Sequence, residues 1–458
     1  MGGGAGARVA GMFSALGHRN FRVFWAGAFL SNTGTWMQTV AQGWLVLQLT
    51  DSAFWLGFDG FAASVPGLLL TLLGGVFADI FDRKRMLILT QTVAGLTALA
   101  LAALVWTGAV HFSMILVASF VTGCCFALAG PSYLAITIDL AGREDLSNAI
   151  ALNSTQFQLS RVLGPTLAGV AFKVFGVAGC FFVNGLSYIA IVGSLLLVRF
   201  GDDKAKTSAA DATVAADAAT GTGATDAATE AAAMTDAGAT GGADATRPAP
   251  ARRTLDGRAI WRDLTEGFRY VRGRPRVLML ITLSAVTSVF GVPYLTMMPL
   301  FARDVLRLDA GGLSVLLAAA GAGSFCAALW ITFLGDVRGK GWYVLGGSFA
   351  FGVCLVGFAL SETFWVALVF LFLVGFGVVS SVAVSNMLLQ RLVTDEMRGR
   401  VMSMFLLSFI GAWPVGNLLA GTAAKYYGAP RTLAAGGIIV AAFVALVAAR
   451  NPRLRALD

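Results

Sequence analysis

The chain has 458 residues, of which 57% are hydrophobic and 13% charged. Soluble domains carry about a quarter charged residues, so an ordinary soluble enzyme or nucleic-acid-binding domain is excluded. The formal net charge of +8 then calls for a membrane rather than a polyanionic partner.

The apolar residues fall in blocks of roughly 18 to 27, the length that crosses about 30 Å of hydrocarbon at 1.5 Å per residue. The period-2 alternation of an outer-membrane strand is absent. Twelve spans are predicted: 21–49, 53–78, 86–107, 112–138, 147–173, 176–198, 277–300, 311–335, 342–360, 364–389, 401–425 and 430–449. The expected class is an all-α polytopic membrane protein. The start, MGGGAGARVAGMF, lacks the apolar stretch and cleavage site of a secretory signal, so the first span is expected to direct its own insertion.

The first span carries Ser31, Thr35, Gln38 and Gln42 at spacings that place them on one helical face. The second contains Asp59 and runs into GGVFADIFDRKR, where Asp79 stands at the negative end of its own helix dipole. The fifth holds Ser154, Gln158 and Arg161, then Gly164, Pro165 and Gly169. Glycine and proline permit close packing and bending within a membrane bundle. Asp59 and Arg161 are the ionisable residues predicted to lie well inside the membrane, where charge is expensive and usually functional.

Residues 201–254 are mostly Ala, Thr, Gly and Asp, with no aromatic residue. Such a composition cannot bury a core and predicts disorder. From Leu255 the pattern changes: Trp261, Leu264, Phe268 and Val271 alternate with arginines at helical spacing, which reads as an amphipathic helix on the cytoplasmic leaflet. The second half offers Ser284 and Ser288 in its first span and Ser381, Ser385 and Asn386 in its fourth, but no buried acid. The expected division is 1–198 and 277–458 as two six-helix bundles, joined by a linker at 199–254 and the amphipathic helix at 255–276.

Charge sets the orientation. Of the 33 Lys and Arg residues, twenty-seven lie in the termini and alternate loops on one side, five on the other, and Arg161 within a span. Positive loops stay in the cytoplasm, which puts both termini inside a cytoplasmic (inner) membrane. The five Cys sit in or beside apolar blocks without metal spacing, and His18 and His111 fall at opposite faces. Landmarks also recur. EDLSNAIALN at 144 and KVFG at 173 return as DEMRGRVMSM at 395 and KYYG at 425. Corresponding loops share a side, so the halves form a parallel pseudo-repeat about an axis along the membrane normal.

With twelve spans, the pattern Gly75-x-x-x-Asp79-x-x-Asp82-Arg83-Lys84 resembles the loop motif of the major facilitator superfamily. HRNFRVFWAG, RVLGPTLAG and DEMRGRVMS are similar to its enterobactin-exporter and drug-efflux branch. The resemblance covers nearly the whole chain except 201–254. It implies a cytoplasmic latch in which Asp79 faces the start of the eleventh span, where Arg398 and Arg400 add cations, and Asp139 pairs with Arg83. It also implies that Gly164 and Pro165 pack against the eighth span in the manner of exporters. That match is partial, since the further glycine of the motif is Phe157 or Gln158 here. The fourth span lacks the arginine that often joins the latch.

GDVRGKG has neither Walker spacing nor a Ser or Thr after its Lys, and no nucleophile–base cluster is present. The expected function is secondary active export of a siderophore-like metabolite or drug by alternating access, driven by protons, without a cofactor or metal and as a monomer. A gradient-independent facilitator, a lipid mover, and a non-transporting sensor or scaffold of the same fold are the alternatives. Thr35, Gln38, Gln42, Gln158, Arg161, Ser385 and Asn386 are the expected cavity residues, with Asp59 as the proton carrier. Arg161 is expected to hydrogen-bond the polar stripe of the first span and to receive anionic substrates.

Overall fold

A computed structural model describes residues 13–80, 82–142, 144–198, 257–334 and 339–451; the side chains of 71–80, 257–264 and 332–334 lie outside the description. Among the described residues every regular element is helical. They are α1 (Arg19–Thr50), α2 (Ala53–Ile80), α3 (Arg83–Trp106), α4 (Phe112–Ala141), α5 (Leu146–Leu197), α6 (Gly257–Arg272), α7 (Pro275–Val286), α8 (Tyr294–Asp304), α9 (Ala310–Leu334), α10 (Lys340–Ala359), α11 (Phe364–Leu392), α12 (Asp395–Phe409), α13 (Trp413–Tyr427) and α14 (Ala429–Arg450).

Ten segments among the described residues are long and apolar enough to cross a membrane. Two features separate that number from the twelve predicted spans. The 32-residue α1 is not among the ten, because Ser, Asn, Thr and Gln along its middle dilute its apolar character. The predicted spans 147–173 and 176–198 are two helices that meet without a loop at a kink on Gly176, with φ 67° and ψ −168°, and together they make up the continuous segment α5. Gly428, between α13 and α14, has φ 79° and ψ 160°. Only glycine adopts such angles without a Cβ clash, which explains why KVFG and KYYG both end in it.

A π turn at Thr287–Gly291 separates α7 from α8. The Ser288 hydroxyl donates to the Phe409 carbonyl at the end of α12, so a carbonyl freed by one helix break is satisfied from the other. The predicted latch residue Asp82 caps α3, its carboxylate accepting from the Arg85 N–H at 2.9 Å. Before α1, the short 3-10 turn Ser14–Gly17 docks on the start of α5. Ser14 Oγ donates to Asp145 Oδ1 at 2.6 Å, and His18 Nε2 lies 2.8 Å from Asp145 Oδ2.

The Ser14 hydrogen bond, and then the His18 bond, hold the Asp145 carboxyl below the usual carboxylate range. A depressed acid stabilises the folded contact above its unfolded pKa, and that contribution is lost as pH falls through the lower folded value. The turn should therefore stay docked at neutral pH and come free only in acid below about pH 4. A dye on Cys substituted for Phe13, in a background without native Cys, should gain rotational freedom only there. Asp145→Asn should show that freedom already at pH 7.

The two halves meet where α2 packs on α13 and α5 on α9. Lipid supplies no hydrophobic drive between helices, so close backbone approach carries the packing. A Cβ on Gly421 would stand 2.7 Å from Gly57 Cα and 2.9 Å from the Ala53 carbonyl. One on Gly43 would stand 2.9 Å from Pro299 Cγ. Beside them Arg303 Nη2 pairs with Asp51 Oδ1 at 2.7 Å, and Lys425 Nζ lies 5.8 Å from the Phe54 ring centroid. These contacts gather at the cation-poor end.

The helix predicted at 255–276 spans Gly257–Arg272 and rests on α12: a Cβ on Gly267 would meet Met404 Sδ at 3.1 Å. Val271 is buried, while Phe268 is 56% exposed. The side chains of Trp261 and Leu264, and the whole of the predicted linker at 199–254, lie outside the described residues.

Candidate functional site

A cavity of about 220 Å³ opens between the halves, walled by α1, α2, α4 and α5 on one side and α8, α9 and α13 on the other. Its polar wall is a hydrogen-bonded cluster around Asp59, which is 6% exposed. Gln42 Nε2 donates to Asp59 Oδ2 at 2.8 Å and to Ser119 Oγ at 2.9 Å. Ser119 Oγ donates to Asp59 Oδ1 at 2.5 Å. The carboxylate is thus held by side chains from α1 and α4, and among the described residues no cation pairs with it. A buried acid arranged in this way can exchange a proton without breaking an ion pair.

A second cluster crosses the seam. Thr296 Oγ1 donates to Asn417 Oδ1 at 2.8 Å, and Asn417 Nδ2 reaches Ser64 Oγ at 3.5 Å. Ser64 in turn donates to the Gly60 carbonyl. On the α1 side, Asn184 Nδ2 donates to Gln38 Oε1 at 2.6 Å, and the Tyr188 hydroxyl lies 3.3 Å from Thr35 Oγ1. Trp413 lines the cavity with its indole N–H buried and unpartnered among the described residues. A donor left so costs about 1–3 kcal/mol; an acceptor on a bound molecule would satisfy it.

Of the predicted cavity residues, Thr35, Gln38 and Gln42 line this space, as does Asp59. Gln158, Arg161, Ser385 and Asn386 are buried but do not line it. The Arg161 guanidinium sits over Trp36, 5.4 Å from the ring centroid. Local packing explains the difference. A Cβ on Gly164 would meet the Thr33 carbonyl at 2.8 Å and the Met37 N–H at 3.1 Å, so α5 lies against the α1 backbone, and Arg161, one turn earlier, comes over Trp36. Gly164 therefore faces α1, and Gly169 is the residue of that motif beside α9, where a Cβ on it would stand 3.2 Å from Ser314 Cβ. Asn386 Oδ1 accepts from Gln390 on its own helix at 3.2 Å.

At the cation-rich end, Arg83 Nη1 stands 3.7 Å from Asp139 Oδ2, and Lys84 Nζ donates to the Val198 carbonyl at 3.0 Å. Arg398 pairs with Asp395 on its own helix at 2.5 Å, and Arg400 with Glu266 of α6 at 3.0 Å. The side chains of Gly75 and Asp79 lie outside the described residues. Ser64, Ser119, Asn184, Thr296 and Asn417 were not expected at the site. Each is a single polar residue in a long apolar run, and its one sequence signal is the cost of burying an unpaired polar group.

Known proteins agree with this architecture. The chain matches the major facilitator family described as transmembrane secretion effector, over residues 10–230 and 226–458. It is 24% identical over 422 residues to a staphyloferrin A transporter of Staphylococcus aureus, covering 91% of this chain and 92% of that protein. It is 24% identical over 439 residues to a multidrug efflux pump of Mycolicibacterium fortuitum, covering 94% and 95%. Its fold superposes with TM-score 0.64 and 12% identity on a bacterial homologue of the human lysosomal transporter Spinster, captured inward-facing and occupied, over 94% of this chain and 96% of that one. The chain is thus a multi-pass membrane transporter, not an enzyme, and belongs to the transmembrane secretion effector family of the major facilitator superfamily.

Proposed function

We propose that the chain is a proton-coupled exporter of a small organic molecule, a drug or a siderophore-like metabolite, in the cytoplasmic membrane. The carrying observation is Asp59: a carboxylate buried in a cavity walled by both halves, bonded to neutral groups that tolerate either protonation state. Relatives that carry siderophores and drugs support the cargo class. Two six-helix bundles with both termini cytoplasmic, rocking about the α2–α13 and α5–α9 seams, would expose the cavity to each side in turn. The matching glycine turns at Gly176 and Gly428 favour the pseudo-repeat. The protein works in this reading as a monomer in the bilayer, with no cofactor. The test is uptake into inverted vesicles under an imposed pH gradient, with a panel of drugs and siderophores. Accumulation that collapses with the gradient is expected, and uptake indifferent to it would defeat the proton-coupled reading.

The latch belongs to the same proposal. Asp79 opposes its own helix dipole but suits the positive N-terminus of α12, beside Arg398 and Arg400. Gly75, within α2, completes the motif; Arg83 braces the turn against Asp139, and Lys84 braces it against the end of α5. Asp79→Asn should insert at normal abundance and lose most of its transport. Wild-type rates in that variant would remove the latch.

A further inference from the structure

We infer that the cavity receives an organic cation with an apolar body, and that this cation and the coupling proton occupy the Asp59 carboxylate in turn. The inference rests on the exporter reading and names the substrate class of its site.

Asp59 and Tyr188 are the titratable groups lining the cavity, and a phenol is uncharged at neutral pH. The helices packed around Asp59 present neutral groups: Gln38 and Gln42 from α1, Ser119 from α4, Asn184 from α5, Thr296 from α8 and Asn417 from α13. Arg161, the cation expected to receive an anion, is 3% exposed, stacked over Trp36 and outside the lining. A cavity whose fixed charge is one carboxylate repels an anion and compensates a cation, more strongly for the low dielectric around it. The walls add to that preference. Trp36, Phe126, Tyr188 and Trp413 line the space, and aromatic faces attract alkylated ammonium groups.

The exchange balances in charge. Facing the cytoplasm, protonated Asp59 gives up its proton as the cation enters beside it. Facing outward, the cation leaves and a proton takes its place. The empty anionic carboxylate is the species a buried site least favours, so each ligand is released mainly against the arrival of the other.

The test uses the full chain in detergent and three probes of one shape, small enough for a cavity of about 220 Å³: phenyltrimethylammonium, its neutral carbon analogue tert-butylbenzene, and the anion phenyltrifluoroborate. At pH 8 the cation should bind about tenfold or more tighter than the neutral probe, and the anion weakest. Over a descending pH series, binding of the cation should come to release a proton, read as a calorimetric heat that varies with the buffer's ionisation enthalpy. Asp59→Asn should lose both the charge preference and the proton release, and Asp59→Glu should keep both; gel filtration confirms that each variant is folded. Equal or tighter binding of the anion, or a cation preference that survives in folded Asp59→Asn, would overturn the inference. Flux in proteoliposomes separates the two proposals. Cation-selective binding without pH-driven flux would defeat the exporter reading and leave the substrate class standing. Flux of an anion without cation selectivity would do the reverse.

Discussion

Replacing Asp59 with Asn should reduce pH-driven export to background while the protein inserts and accumulates normally. The amide keeps the size of the side chain, and its oxygen can still accept from Gln42 Nε2, which donates to the carboxylate at 2.8 Å. What it loses is the ability to take and release a proton. A buried ionisable group with neutral partners is well placed for that task, and no second acid lines the cavity. The measurement is paired: proton movement by a trapped pH dye and substrate movement by a labelled probe, in proteoliposomes of equal protein content. Both should vanish together in Asp59→Asn and persist in part in Asp59→Glu. Export that still follows the pH gradient in Asp59→Asn would move the coupling elsewhere. Gradient-independent flux in the wild type would instead favour the facilitator.

Gly421→Val should stop transport by a different route. Any Cβ at 421 stands 2.7 Å from Gly57 Cα and 2.9 Å from the Ala53 carbonyl, and backbone on both sides cannot turn away as a side chain would. Overpacking of this kind costs about 1–3 kcal/mol. In a protein alternating between two states of similar energy, that shifts the populations by roughly 5- to 150-fold against the arrangement described here. The cation-poor end should then spend most of its time open. Cys substituted for the cavity-lining Thr39 should react faster with an impermeant thiol reagent from that side, and flux should fall by about tenfold or more. Gly421→Ala should give a smaller change in the same direction. Normal flux with unchanged labelling would mean that α2 and α13 do not separate there.

Much of this was legible in the sequence because the bilayer leaves few options. Every backbone group must be satisfied within a helix, so long apolar runs announce helices, and the excess of basic loops on one side gives an orientation to test. Gln42 and Asp59 were legible as costly polar residues at membrane depth. Their partner Ser119 was not: serine is common in membrane helices, and only the rotation of α4 against α2 decides that it meets Asp59. Arg161 shows the complementary limit. Its spacing from Gln158 matches a polar face, yet which neighbour that face meets depends on Gly164 lying against the backbone of α1. At Gly176 the break between two predicted spans was legible from the glycine, but not how tight it is: one residue turns the chain, and the two helices follow each other without a loop.

The pair between Asp51 and Arg303 has a pharmacological consequence. It joins the end of α1 to the end of α8 across the seam, with side chains 79% and 33% exposed. An ion pair so placed holds with about 0–1 kcal/mol, weak enough to part in every cycle. In the proposed orientation it faces the outside. A nanobody whose footprint covered both residues would add its own binding energy to that small amount and clamp the outer lips together. Such an inhibitor would need no passage across the membrane, would not compete with cargo for the cavity, and could not itself be exported.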